Sequence, residues 1–221
     1  ALNSDGAATA VTITDDSVIQ NIFDGGGAIS AWIYAKSAGE GNNGMIITKE
    51  DPGSDGWRFG LQASGGANEN LIFLQRFSGD DGLWQVNSSI PKNVWTHVLV
   101  VYDADATTND PQIYINGVSQ AMIETTAPTG TRNSDVANDL IIANIAAAST
   151  FDGYIDEVRL YTTALTAAQA FFLYQNPSGN SPQGVKQLCG NYNSATSGSR
   201  MIFDVSKFAV YDNSGNSVLY A

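Results

Sequence analysis

Few side chains in this chain could do chemistry, and their spacing limits what they can do. There are five glutamates (Glu40, Glu50, Glu69, Glu124 and Glu157), a single histidine, His97, and a single cysteine, Cys189. Retaining hydrolysis of a glycosidic bond takes two carboxyl groups about 5–5.5 Å apart across that bond. On a strand such partners come from positions i and i+2 or i+4, which share a face. No glutamate has an acidic neighbour at that spacing inside a strand-forming stretch, and Glu157 directly follows Asp156, so those two point to opposite faces. There is no Gly-x-Ser-x-Gly elbow to present a nucleophile. His97 is the one possible imidazole base, and it sits among core-type residues, which reads as a hydrogen-bonded structural histidine. One histidine and one cysteine do not make a zinc site of the usual nitrogen and sulfur ligands. Gly25-Gly26-Gly27 precedes a strand rather than a helix, so it is a turn and not a phosphate cradle. Cys189 excludes an internal disulfide and reads as a small buried thiol. Covalent chemistry is therefore disfavoured, with a hydrolase the weakest reading.

The elements that must position these residues are strands. Ala10–Thr14, Ala28–Ala35, Met45–Lys49, Trp57–Gln62, Leu71–Phe77, Leu83–Ser89, Trp95–Tyr102, Gln112–Asn116, Val118–Met122, Leu140–Ala143 and Tyr154–Tyr161 are short and rich in β-branched or aromatic residues. Each is bounded by Gly, Asn, Asp or Pro. Runs of this kind predict an all-β, two-sheet antiparallel sandwich rather than a βαβ fold. Asn116-Gly117 suits the two positive φ angles of a type I′ hairpin turn. Trp95–Tyr102 is apolar on both faces, which predicts a central strand covered on both sides. In Tyr154–Tyr161, Ile155 has one parity and Val158 and Leu160 the other; either a bulge follows Asp156 or both faces are partly buried. One helix is predicted over Ala167–Tyr174, capped by Thr166 with Gln169 as its capping-box partner. Asn176–Pro182 reads as the end of the main unit, giving a sandwich over 1–176 and an extension over 177–221. The extension holds further strand signals at Met201–Val205, Lys207–Tyr211 and Val218–Tyr220, and it is too small to fold alone. It is expected to pack on the sandwich or on a partner subunit.

Composition narrows the partners. Charged residues make up only 14%, against roughly 25% in an average soluble domain, so solubility rests on Ser, Thr, Asn and Gly. The net charge is −12, and the lysines and arginines are scattered. That leaves no footprint for nucleic acid and disfavours anionic membrane surfaces. No apolar run approaches the roughly 20 residues of a membrane span, and Ala1–Asp5 lacks the basic and apolar stretches of a signal peptide.

Gly153-Tyr154-Ile155-Asp156-Glu157-Val158-Arg159-Leu160-Tyr161, followed by Ala164-Leu165-Thr166, resembles the closing strand and short helix of the laminin G-like, concanavalin A-like lectin/glucanase family. Ala28–Ile33 is similar to its early tryptophan strand. Trp95-Thr96-His97-Val98 with Tyr114-Ile115-Asn116-Gly117 is similar to its central pair, and Leu2-Asn3-Ser4-Asp5-Gly6 to its opening, with Ser4 in place of an aromatic. The resemblance covers about residues 1–175 and implies a jelly roll. It also implies one Ca²⁺ where the opening segment meets the closing strand, which nominates Asp5, Asp156 and the Gly6 carbonyl. The competing reading is that Asp156 hydrogen-bonds a loop backbone. Asp103-Ala104-Asp105 with Asp110 is a second acidic loop, without the glycine and terminal glutamate of an EF-hand.

A sugar site needs aromatic faces beside hydrogen-bonding groups. Trp57, Arg58 and Trp84 sit in strands beside polar loops and are the nominees for it, although for the two tryptophans burial in the core is the leading reading. Trp32 and Trp95 read as core. Two compatible functions follow: a non-catalytic carbohydrate-binding or adhesion module, or a virion structural protein such as a phage decoration or tail-associated protein. Both imply an extracellular or virion surface. A homo-oligomer, or contact with other surface proteins through the extension, fits either.

Overall fold

The computed structural model describes residues 1–145 and 149–177, and the backbone of residues 200–204, 207–211 and 217–220. In chain order the elements begin with β1 (Leu2–Asp5), β2 (Val11–Ile13), β3 (Gly27–Ala35), β4 (Met45–Asp51), β5 (Asp55–Gln62), β6 (Asn68–Gln75) and β7 (Gly82–Pro91). They continue with β8 (Trp95–Tyr102), β9 (Gln112–Ile115), β10 (Val118–Ser119), β11 (Ile123–Thr126), β12 (Leu140–Ile142), β13 (Asp152–Tyr161) and α1 (Ala167–Gln175). β14 (Arg200–Asp204), β15 (Lys207–Tyr211) and β16 (Ser217–Tyr220) close the series.

A six-stranded sheet in the order β1-β13-β3-β8-β9-β10 faces a seven-stranded sheet in the order β11-β7-β6-β5-β4-β12-β2. Their strand pairs are antiparallel, as in a jelly-roll sandwich. The strand signals of the extension form a separate antiparallel sheet, β14-β15-β16. Cys189 and most of the proposed linker lie outside the described residues. Two strands escaped the sequence reading. β1 lacks apolar alternation and is held by its pairing to β13, with Ser4 turned inward onto the Phe151 carbonyl. The stretch expected at Val118–Met122 is only β10, after which the chain crosses to the other sheet as β11.

The inner faces form the core. Ile29, Ala31 and Ile33 of β3 and Val98, Val100 and Tyr102 of β8 meet Trp57, Phe59, Phe73 and Trp84 from the opposite sheet. Phe23 packs edge-on against Trp57, Phe73 and Tyr102, with centroids 5.3–5.9 Å apart. Burying each such side chain stabilises the fold by roughly 1.5–3 kcal/mol.

Three local features place the outer face. At the β9–β10 turn Asn116 has φ 50° and Gly117 φ 75°, the geometry of the expected type I′ turn. A side chain on Gly117 would come within 2.9 Å of Phe171, so the turn packs closely on α1. The β13–β3 register shifts between Asp156 and Arg159, and Glu157 takes φ 49°. This bulge keeps Ile155, Val158 and Leu160 all on the core side and turns Arg159 and Tyr161 outward. The Thr166–Gln169 capping box starts α1 as expected. Ala170 and Leu173 then bury against Ala28, Leu99, Val101, Tyr114 and Tyr161.

One buried charge fixes the loop before β12. The Lys49 side chain is wholly buried; its Nζ donates to Asp15 Oδ1 (2.6 Å) and to the carbonyls of Asp135 (2.9 Å) and Asn138 (2.5 Å). Asp135, itself buried, accepts from the Asn21 N–H and from Trp57 Nε1. Removing one partner of a buried pair leaves the other uncompensated, so Lys49→Met is expected to lower unfolding free energy by about 3–5 kcal/mol. Urea denaturation of the two proteins measures this; a loss within error of zero would show that the cluster holds no net stability.

Candidate functional site

The nominated sugar-binding tryptophans are core. Trp57 and Trp84 are buried to within 1% of full exclusion, and neither offers a face to a ligand. Both lie on the parity of their strands that points between the sheets. Their ring nitrogens are also taken: Trp57 Nε1 donates to Asp135 and Trp84 Nε1 to Asp110 (2.8 Å). Arg58 points the other way, and its guanidinium lies 3.6 Å from Glu50.

The nominated calcium set is not brought together. Asp5 pairs with Asp152, while Asp156 lies four residues further along β13, a separation of about 13 Å. Asp5 Oδ1 accepts from the backbone N–H groups of Ala7 and Ala8 and from Thr9 Oγ1, and these bonds hold its carboxyl below the usual carboxylate range. Asp156 Oδ1 accepts from the Glu157 N–H at the bulge, the loop-bonding role weighed against calcium. Gly6 sits against Asp152. The described residues contain no group of three or more His, Cys, Asp or Glu side chains arranged to hold a metal. Asp5, Gly6 and Asp156 thus do not fit one ion.

Two carboxylates that are distant in sequence do converge. Arg76 donates to Glu50 (3.1 Å) and to Asp81 (2.5 Å). The Glu50 side chain is fully buried, and that burial raises its pKa. It is closed off from a substrate.

The outer face of the six-stranded sheet is different. Tyr154, Tyr34 and Trp95 occupy one register row across β13, β3 and β8. Their centroids are 5.7, 5.8 and 6.4 Å apart, so the rings form a compact cluster rather than a flat strip. Trp95 is 41% exposed, and Lys36 Nζ lies 4.8 Å from the Tyr154 ring centre. The next row on the same face is Asp156, Trp32 and His97. Tyr174 of α1 stacks on Trp32 at 5.8 Å and 23°. Trp32, Tyr174, Gln175, Asn176 and Pro177 line an open surface pocket of about 590 Å³. On this face Trp32 Nε1 and His97 Nδ1 are buried without hydrogen-bond partners, and orphaned buried nitrogens of this kind are uncommon. Another groove, bordered by Asn87, Ser88, Gln120 and Met122, has no aromatic wall.

For Trp57 and Trp84 the sequence left core burial and ligand binding both open, and burial is what the fold gives them; Trp95, read as core, is instead exposed. α1 covers the Leu99–Val101 part of β8 with Ala170 and Leu173, and Tyr174 in its last turn reaches His97 and Trp32. With 9 residues it is about 13 Å long, too short to reach Trp95 and Tyr34. That length was the signal available in the sequence.

A two-layer sandwich with a solvent-facing aromatic surface defines a lectin-like β-sandwich. The sequence matches the Concanavalin A-like lectin/glucanases superfamily over residues 5–170, and the chain belongs to this family. No curated protein sequence matches it. Among solved structures, it is similar to the binding domain of botulinum neurotoxin serotype G (16% identity, TM-score 0.56, 77% of this chain and 41% of that one). It is also similar to the heptameric SAP-like pentraxin of Limulus polyphemus (12%, 0.52, 86% and 84%). A third is the serotype D botulinum neurotoxin ligand-binding domain in complex with N-acetylneuraminic acid (13%, 0.56, 79% and 42%). The chain thus spans less than half the length of the toxin domains it matches. At these identities the likeness is one of fold.

Burial, then the charge of Arg159, pushes the His97 pKa down to about 4. An unfolded histidine titrates near 6.5, so on acidification the unfolded chain gains a proton that the folded chain refuses. Stability from this group is full above about pH 6.5 and falls toward pH 4, by about 2–3 kcal/mol at pH 4.5. Chemical denaturation of wild type and His97→Gln at pH 7 and pH 4.5 is expected to show a smaller acid loss in the variant. Equal losses would mean that His97 is protonated in the fold.

Proposed function

We propose that this chain is a non-catalytic carbohydrate-recognition module that holds a glycan on the outer face of its six-stranded sheet. The carrying observation is the Tyr154–Tyr34–Trp95 cluster, in which Trp95 is exposed and the two tyrosines are half-buried, and which continues along β3 to Trp32 and Tyr174 beside the open pocket. A pyranose presents an apolar C–H face that stacks on such rings. Its hydroxyls need amide and carbonyl partners at the rim, where Gln175 and Asn176 stand. A toxin domain that this chain matches over 42% of its length was solved in complex with N-acetylneuraminic acid, and that likeness, with the aromatic face, supports a sugar ligand here.

The non-catalytic reading is supported by the burial of Glu50, the carboxylate that shares Arg76 with Asp81. The low charged fraction supports display on an extracellular or virion surface. The extension beyond Pro177 is the proposed contact with a neighbouring protein.

A glycan array probed with the whole chain tests the reading, followed by titration of the strongest hit. Trp95→Ala is expected to weaken binding about ten-fold or more while leaving the thermal midpoint close to wild type. Trp84→Ala is expected to cost about 3–5 kcal/mol of stability, as loss of a core aromatic does. No retained glycan, or Trp95→Ala binding like wild type, would sink the proposal.

A further inference from the structure

Resting on the carbohydrate reading, we infer that the aromatic face takes the free end of a glycan chain, its non-reducing terminus, and not a stretch of its interior. The outward residues of β13, β3 and β8 fall into register rows about 7 Å apart along the strands. The row of Tyr154, Tyr34 and Trp95 is open, with Trp95 exposed and both tyrosines half-buried. In the next row Asp156 and Trp32 are still half-buried, but His97 is buried, with the Tyr174 ring 6.3 Å away. Beyond it come Arg159, Ser30 and Leu99, then Tyr161, Ala28 and Val101, and none of these is more than 7% exposed. The three strands thus close at the same level, where Ala170 and Leu173 of α1 pack on the sheet.

The open floor is therefore a track two rows long with unlike ends. At one end it runs out past Trp95 to the β7–β8 turn, where Asn93 and Val94 are exposed, as is Lys36 beyond β3. At the other end the last turn of α1 stands across it: Tyr174 stacks on Trp32, and Gln175, Asn176 and Pro177 wall the pocket. A chain laid along β3 can leave past Trp95 but cannot continue through α1, so the unit over Trp32 is its last. Two rows, with ring width on either side, hold roughly two or three pyranose units. A chain laid crosswise over Tyr154 and Trp95 would use one row alone and leave Trp32 and the amides of Gln175 and Asn176 without a role. A glycan anchored to a surface is held by its reducing end, so the end it offers is the non-reducing one. The pocket at α1 then reads the terminal unit, and the Tyr154–Tyr34–Trp95 cluster holds the units behind it.

The test is a homologous series built from the repeat of the strongest array hit, from the monosaccharide upward, titrated against the whole chain. Affinity is expected to rise about ten-fold up to about three units and then to level off. A bulky substituent on the non-reducing unit is expected to weaken binding about ten-fold, and the same substituent at the reducing end of a long member to change it little. Trp95→Ala is expected to remove the gain with length and spare the shortest member that binds. Gln175→Ala, at an exposed position, is expected to weaken every member by a similar factor. A monosaccharide bound as tightly as its longer homologues, affinity that keeps climbing with length, or a loss on substitution at the reducing end alone would overturn this inference and leave the carbohydrate reading standing. So would a chain blocked at its non-reducing end that binds like the free one. Failure of every glycan would overturn both.

Discussion

Strict alternation of side chains across β3 and β8 is the constraint on which this structure depends. These two strands run side by side in register from Gly27–Tyr102 to Tyr34–Trp95, so each core residue on one parity fixes an outward residue on the other. Ile29, Ala31 and Ile33 with Val98 and Val100 fill the interior. The same geometry forces Trp32, Tyr34, Trp95 and His97 outward. A nine-residue helix then covers part of that outward surface. The uncovered remainder is the aromatic face. Core and site are thus two sides of one register, and a slip of one residue would exchange them.

The bulge at Asp156–Arg159 makes this compatible with the third strand. Without it, Ile155 and Val158 could not both face the core. With it, Arg159 turns outward, where it pairs with Glu157 and donates to the Pro177 carbonyl. The strained φ at Glu157 is a local cost of order 1–3 kcal/mol that the surrounding ladder of β1 and β3 over-determines.

Much of the fold was legible in the sequence because it rests on short-range signals. Asn116-Gly117 specified its turn, Thr166 and Gln169 specified the helix start, and the parity change after Ile155 left a bulge as one of two readings, the one the β13–β3 register bears out. β1 was not legible, since Leu2–Asp5 has no apolar alternation and is a strand only because β13 offers it a ladder. The site was much less legible. Trp57, Trp84 and Trp95 all sit in alternating strands, and alternation says that two faces exist without saying which one the second layer covers. The Asp5–Asp156 pairing failed for a similar reason. Proximity of two segments does not fix register, and the observed register sets Asp152, not Asp156, beside Asp5. Lys49 was invisible too, because its partners lie on three loops that come together only in the fold.

Arg159 donates to the Pro177 carbonyl just beyond α1, and this gives the domain a mechanical polarity. A pull on the chain beyond Pro177 enters the sandwich at the C-terminal end of α1 and is carried by Arg159 into β13, a strand laddered on both sides. Force applied there acts on two hydrogen-bond ladders together instead of peeling an edge strand. Pro177 also borders the pocket at Trp32 and Tyr174. The load path therefore passes beside the aromatic face, and tension on the chain beyond Pro177 would be felt there before the core yields.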